Sequence, residues 1–250
     1  MSKPTVKNAP IKVVLIDDHF LIHESVAHQL ANQPDIVLVA TGTAGEEIEP
    51  LIQQHDPQIV LLDIGIPPKV GVSIRQAGRY PVLPAILRLR QDYPETQFVI
   101  LSADMDASLV SGALEVGARG YLLKDDELSI HLPEALRAVQ RGALYFSSDV
   151  AQLLTSQSPA KHDPARALTE RQVEVLCAIV ANANLSYAEH AQRMGISEDT
   201  FRNHIRAIFD KLDASNLTSA ILRAIQQGAI PLALLGLRSS RENEPHQQKS

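Results

Sequence analysis

The 250-residue chain has one cysteine, Cys177, and no tryptophan. A single cysteine excludes an internal disulfide framework and fits a reducing cytosol. No apolar run reaches the roughly 18 residues that a membrane-spanning helix needs, so no membrane partner is expected. Met1 to Pro10 is polar and has no apolar core of the kind a signal peptide carries. These absences together point to a cytoplasmic protein. No internal repeat is visible. Aromatic residues are scarce at 4%, but hydrophobic content is ordinary at 45%, which suits one or two domains that each bury a core. Basic residues are also scarce in the first part of the chain. From Pro10 to Val150 there are 10 Lys and Arg against 19 Asp and Glu, whereas from Arg166 to Arg238 there are 8 against 7. The second stretch is therefore only slightly basic, which by itself is weak support for a nucleic-acid partner. What matters there is where the basic residues lie.

The stretch that organises the chain is Ile59-Val60-Leu61-Leu62-Asp63. Four apolar residues between Asp56-Pro57 and Gly65 read as a buried parallel strand. Further strands are expected at Ile11–Ile16, Ile36–Ala40, Gln97–Leu101 and Gly120–Leu123. Helices are expected near Leu21–Asn32, Glu46–Gln54, from Pro84 onward, Asp106–Val116 and His131–Arg141. Pro50 requires the second of these to start late or kink, and Pro133 falls in the first turn of the last. Gly65 to Leu83, with three prolines and three glycines, reads as a long loop. This alternation predicts an α/β doubly wound, five-stranded parallel sheet over residues 10–145. A polar, proline-containing linker is expected within 146–166, with a short helix allowed at Tyr145–Leu154. An all-helical domain is expected at 167–235 and a disordered tail at 236–250.

Four strand ends carry polar groups: Asp17 and Asp18, Asp63, Ser102 and Lys124. In a parallel sheet these converge on one edge, where ligands bind. Each alone is an ordinary turn former; the four together describe a site. Crowded carboxylates call for a divalent cation with hard oxygen ligands, and Mg²⁺ leaves positions open for phosphate oxygens. Lys124 adds a cationic donor and Ser102 a hydroxyl. The set suits attack by one carboxylate on phosphorus.

The runs IDDH at Ile16–His19, LLDIGIP at Leu61–Pro67, LSA at Leu101–Ala103 and GYLLKDD at Gly120–Asp126 resemble the receiver domain of two-component response regulators. The resemblance, of flavodoxin-like fold, implies that Asp63 accepts a phosphoryl group from a sensor histidine kinase. It implies that Asp17, Asp18, Asp63 and the backbone carbonyl of Gly65 hold Mg²⁺, that Ser102 binds and Lys124 pairs with the phosphoryl group, and that Tyr121 is an aromatic switch. A half-buried strand aromatic remains the plain alternative for Tyr121. One departure stands out: about ten residues around Arg75–Pro84 are extra by loop-length expectation. They are either a neutral surface insertion or a partner contact beside the site.

From Leu168 the pattern is helical. Thr169–Gln172 and Ser186–Glu189 fit capping boxes. LTERQVEVL at Leu168–Leu176, with Ser186–Leu212, is similar to the helix-turn-helix of LuxR/NarL/FixJ-type regulators. In the helix expected at Glu198–Leu212, Phe201, Ile205, Ile208 and Leu212 fall on one face. Arg202, Asn203 and Arg206 then project away, and these residue types match guanine and adenine edges in the major groove. Lys211 and the helix starts at Ser186 and Ser197 are candidates for phosphate contacts. In the family a fourth helix, here Leu217–Gln227, carries a dimer contact, which implies a homodimer on double-stranded DNA. Asn182-Ala183-Asn184, His190 and Phe201 depart from the family's usual residues.

The leading expectation is a phosphorylation-controlled DNA-binding transcription regulator, not an enzyme. A haloacid-dehalogenase-like phosphatase competes, but that family needs a second aspartate two residues after the first, and position 65 is Gly. A receiver that signals through protein contacts alone is a third reading.

Overall fold

The computed structural model describes residues 9–125, 128–156 and 167–231, with the side chains of Ser129, Thr155 and Ser156 left undescribed. Asp126, the linker residues 157–166, the last residues of the domain expected to 235 and the tail at 236–250 lie outside the described residues.

Six parallel strands form one sheet: β1 (Ile11–Ile16), β2 (Ile36–Gly42), β3 (Ile59–Asp63), β4 (Gln97–Ser102), β5 (Gly120–Leu123) and β6 (Tyr145–Phe146). Their order is β2-β1-β3-β4-β5-β6, so the chain winds outward in both directions from β1 and β3. Ligands of doubly wound sheets bind at such a reversal. Strand side chains alternate between faces. In β1, Val13 and Leu15 pack toward α1 (Phe20–Ala31) and α6 (Leu128–Gln140), while Val14 and Ile16 pack on the opposite side. That other side is covered by α2 (Ile48–His55), α4 (Val82–Asp92) and α5 (Ala107–Glu115). All five residues of β3 are buried, which is why it reads as an unbroken apolar run ending in a carboxylate.

The structure decides between the two alternatives at Pro50 and amends the sequence reading at three further places. Pro50 lies in the first turn of α2, because a 3₁₀ turn over Gly45–Glu47 delays the helix start to Ile48. Pro133 lies inside α6, not in its first turn, since α6 begins at Leu128. Leu128, Leu132, Ala135, Leu136 and Val139 are all buried on one helical stripe, and that burial outweighs the proline's lost hydrogen bond. The segment expected as loop carries a one-turn α3 (Ile74–Ala77), and α4 starts at Val82, so Pro84 is its third residue. The long segment is pinned, not loose: Gly45 N–H donates to Pro67 O at 2.9 Å and Val70 N–H to Glu46 Oε1 at 2.9 Å ahead of the extra residues, and within them Tyr80 N–H donates to Ile66 O at 2.9 Å. The Tyr80 ring covers Gly45 so closely that no Cβ fits there. Finally, β6 extends the expected sheet. Tyr145 N–H donates to Arg119 O at 3.0 Å and Ser147 N–H to Tyr121 O at 3.1 Å, joining this segment to the free edge of β5. The following helix α7 (Ser148–Ser156) buries Val150, Ala151 and Leu154 against the same core.

Four further helices follow: α8 (Glu170–Ala181), α9 (Tyr187–Arg193), α10 (Glu198–Leu212) and α11 (Leu217–Gln226). Both expected capping boxes form, at Thr169 with Gln172 and at Ser186 with Glu189. Gly195 at φ 67° makes the turn between α9 and α10, a backbone region where only glycine is unstrained. Phe201, Ile205, Ile208 and Leu212 are buried, as their spacing requires. His190 is buried and stacks on Phe201 with ring centroids 5.6 Å apart. Burial pushes its imidazole below the ordinary histidine value, with Arg193 acting in the same direction. Cys177 is half-buried on α8.

Candidate functional site

The carboxyl ends of β1 and β3 bring Asp17 and Asp63 together. Both are buried, and Lys124, just past β5, reaches between them. Its Nζ is 2.7 Å from Asp17 Oδ2 and 2.9 Å from Asp63 Oδ2. One cation thus offsets two like charges that would otherwise repel in a low-dielectric pocket. Asp17 Oδ2 has no donor in hydrogen-bonding geometry beyond this ion pair. Asp63 Oδ1 accepts from Gly65 N–H at 3.0 Å, which fixes the rotamer of the carboxylate. Asp18 is exposed beside them.

Donor atoms of Asp17, Asp18, His19 and Asp63 all lie within 4.8 Å of one another. Three carboxylates, two of them buried and sharing one lysine, are a donor set that could hold a hard metal ion. Two histidines that sequence reasoning did not assign help to build this corner. His19 Nδ1 lies 3.2 Å from Asp17 Oδ1 and 2.8 Å from Asp18 Oδ1, and His23 Nε2 lies 2.6 Å from the Asp17 carbonyl. His19 directly follows the two aspartates, so adjacency alone could have flagged it; His23 stands one helical turn further on and carried no such signal.

Ser102 ends β4, the strand that pairs Leu101 with Asp63. Its Oγ donates to Asp104 O at 3.0 Å. Tyr121 is fully buried, and its hydroxyl donates to the same carbonyl at 3.0 Å. Burial pushes the Tyr121 phenol up, while the neighbouring Ser102 hydroxyl pulls it down. The Asp104 carbonyl is a shared acceptor that joins Ser102 to Tyr121, and residue type alone does not reveal it.

On α10, Arg202, Asn203 and Arg206 are exposed on the side away from the core. Arg202 pairs with Glu198 and lies over the Tyr187 ring at 5.3 Å from its centroid. Arg206 Nη1 is 3.4 Å from Asn203 Oδ1. Ser186 and Ser197 sit at helix starts, where each hydroxyl accepts a backbone N–H of its own helix. Lys211 does not join this face: its Nζ donates to Ala167 O at 2.8 Å.

The two parts of the chain meet through α11, which packs on α5 and α7. Arg223 Nη2 is 2.7 Å from Glu115 Oε1, and Asn216 Nδ2 donates to Glu115 O at 2.6 Å. The pairing holds the Arg223 guanidinium above its ordinary value. Every residue of α11 is buried or half-buried. The face expected to carry a dimer contact is therefore covered here. Residues 108 apart in sequence make the Glu115–Arg223 contact, which is why no motif signalled it.

Residues 13–136 match the family model of the response regulator receiver domain, and residues 166–224 that of bacterial regulatory proteins of the luxR family. The transcriptional regulatory protein DegU of Brevibacillus brevis is 30% identical over 241 residues, covering 89% of this chain and 96% of the relative. The nitrate/nitrite response regulator protein NarP of Escherichia coli (strain K12) is 32% identical over 220 residues, covering 87% and 96%. Among solved structures, the RcsB response regulator of Salmonella typhimurium shares the fold at TM-score 0.51 and 18% identity, covering 85% of this chain and 97% of that one.

Proposed function

This chain belongs to the two-component response regulators that join a receiver domain to a LuxR-type DNA-binding domain, and on that premise we propose that phosphoryl transfer to Asp63 controls its binding to DNA. The observation that carries the proposal is the buried pairing of Asp17 and Asp63 across one lysine, at the point where strand order reverses. In this reading residues 10–156 form the receiver and 167–235 the output domain. The protein acts in the cytoplasm, where its DNA and a sensor histidine kinase are found.

In the receiver, a carboxylate oxygen of Asp63 attacks the phosphorus of a phosphohistidine. A P–O bond forms, the P–N bond breaks, and the imidazole, already protonated on its other ring nitrogen, takes the bond's electron pair and leaves neutral. Lys124 pairs with the incoming phosphoryl oxygens as it does with the carboxylates, and the Ser102 hydroxyl turns from Asp104 to bind one of them. Asp17, Asp18 and Asp63, with the Gly65 carbonyl, would hold Mg²⁺. When bound, that ion supplies charge neutralisation for phosphoryl oxygens. The relatives are transcription regulators rather than enzymes, and Gly65 agrees with this, standing where a phosphatase of the competing type would need a second aspartate.

Loss of the Ser102 bond frees the Asp104 carbonyl and with it Tyr121, both beside the start of α5. Since α5 holds Glu115, a shift there loosens α11. Two output domains then pair through α11 and present Arg202, Asn203 and Arg206 to two half-sites of duplex DNA. One solved structure sharing the fold holds two RcsB dimers bound to two parallel DNAs. Joining two weak half-sites multiplies affinity without new contacts. The test is labelling by a small phosphodonor such as acetyl phosphate, followed by intact-mass measurement and DNA gel shift. Labelling at Asp63 with tighter DNA binding supports the reading; labelling that leaves DNA affinity unchanged rejects the coupling.

A further inference from the structure

A second cavity lies between the two domains, away from the acidic edge. It has a volume of about 50 Å³ and is lined by Arg119 and Leu144 from the receiver and by Ile179, Val180, Leu217 and Ile221 from the output domain. By the usual space per water it has room for about four waters, hence four to six non-hydrogen atoms. Its side chains are apolar with one exception, and the backbone of Gly142, Ala143 and Ala183 completes the lining. Arg119 is half-buried; its Nε donates to Gln97 Oε1 at 3.1 Å and its Nη1 to Gly142 O at 3.5 Å. Among the described residues no carboxylate pairs with it, and Nη2 has no hydrogen-bond partner. Arg90 adds a second positive charge close by, and its own bond is to a carbonyl, Val116 O at 3.1 Å. Burial lowers the pKa of both guanidinium groups, and Arg90 lowers that of Arg119 further.

A guanidinium partly withdrawn from water, with one nitrogen left unbonded beside an apolar wall, gains more from an anion than one in open solvent does. The phosphoryl chemistry does not use Arg119. We propose that this cavity binds a small monocarboxylate with a short apolar tail: the carboxylate against the free edge of Arg119, the tail against Ile179, Val180 and Ile221. Phosphate fits less well, because its remaining oxygens would face apolar side chains and go unsatisfied. Since both domains supply walls, the bound acid ties α8 and α11 to the receiver. Any ligand that binds only the docked form favours it by mass action. This consequence rests on the reading that the domains part on activation, whereas the site itself does not.

The space is also closely bounded. A Cβ on Gly142 would lie 2.6 Å from Ala183 O, so the Asn182-Ala183-Asn184 turn sits directly on the receiver at the cavity mouth.

The test is calorimetric titration of the full unphosphorylated chain with butyrate, butyramide and inorganic phosphate, with hydrogen exchange followed at Leu217–Gln226. Saturable butyrate binding is expected, weakened at least about tenfold in Arg119→Gln and for butyramide, because a charge-assisted bond is lost in each. Bound butyrate should also slow exchange at Leu217–Gln226. No saturable binding up to about 50 mM, a ceiling that corresponds to negligible affinity, overturns the site. So does equal binding of acid and amide, a comparison in the native chain that holds even if Arg119→Gln fails to fold. Tighter binding of phosphate than of butyrate overturns the ligand class. Binding without slower exchange overturns the clamp. None of these measurements involves Asp63 or DNA, so they stand apart from the phosphorylation reading.

Discussion

The acidic edge of the receiver and the exposed face of α10 treat charge in opposite ways. Asp17 and Asp63 are out of water, and Lys124 holds them in place before any ligand arrives. Arg202, Asn203 and Arg206 stand in solvent, and their partners are on their own helix or the helix beside it. A buried site must settle its electrostatics within the fold, so its geometry is built in advance and each member matters to the others. A surface site defers that to its partner, so its members are near-independent and individually weak in the free protein. Between the two lies α11, each of whose residues is buried or half-buried, which is the element that can carry a signal from one to the other.

The comparison breaks most visibly at the nucleophile. Asp63→Asn should abolish labelling by acetyl phosphate, read as loss of the phosphoryl mass on the intact protein; full labelling of this variant would place the acceptor elsewhere. Next is the cation that serves two acids. Lys124→Met should leave Asp17 and Asp63 buried without their partner and cost about 3–5 kcal/mol of receiver stability in urea unfolding, as broken buried pairs do. Added Mg²⁺ should restore part of that, and a midpoint indifferent to both changes would contradict the proposed electrostatics. On the open face the effects are smaller. Arg202→Ala and Arg206→Ala should each lose about 1–3 kcal/mol of DNA binding, or roughly fivefold to 150-fold in gel shift, with stability unchanged. At the junction, Arg223→Gln removes a partly exposed pair worth at most about 1 kcal/mol, so DNA binding without phosphodonor should rise several-fold at most.

The smallest effect expected is in pH. His190 has a pKa below its unfolded value, so the unfolded chain takes up a proton before the folded one. The stability His190 contributes is therefore present above the unfolded value and lost as pH falls through the folded one. His190→Leu should flatten that decline in the output domain, and an identical pH profile in the variant would show that His190 is not its source.

Much of this was legible because it was local. The apolar run before Asp63, the hydroxyl capping of α8 and α9, and the alternating four- and three-residue spacing of apolar residues on α10 each depend on near neighbours in sequence. Pro133 misled for the same reason: a local rule placed it in a first turn, but burial of Leu128 and Leu132 against the sheet extended the helix past it. β6 could not be read, because its pairing depends on the exposed edge of β5 more than on its own two residues. Lys211 had the charge for a phosphate contact, but the carbonyl that claims it is 44 residues away. The Asp104 carbonyl and the Glu115–Arg223 pair are likewise tertiary: no residue type announces which backbone oxygen two side chains will share.

The central claim is that events at the buried edge uncover α11. Peptide-level hydrogen exchange over Leu217–Gln226, with and without acetyl phosphate and Mg²⁺, measures this most directly in the native chain and in Asp63→Asn. Faster exchange on phosphorylation in the native chain, and none in the variant, is the predicted result. Exchange that stays the same in the native chain despite full labelling, or that rises equally in both proteins, would contradict it.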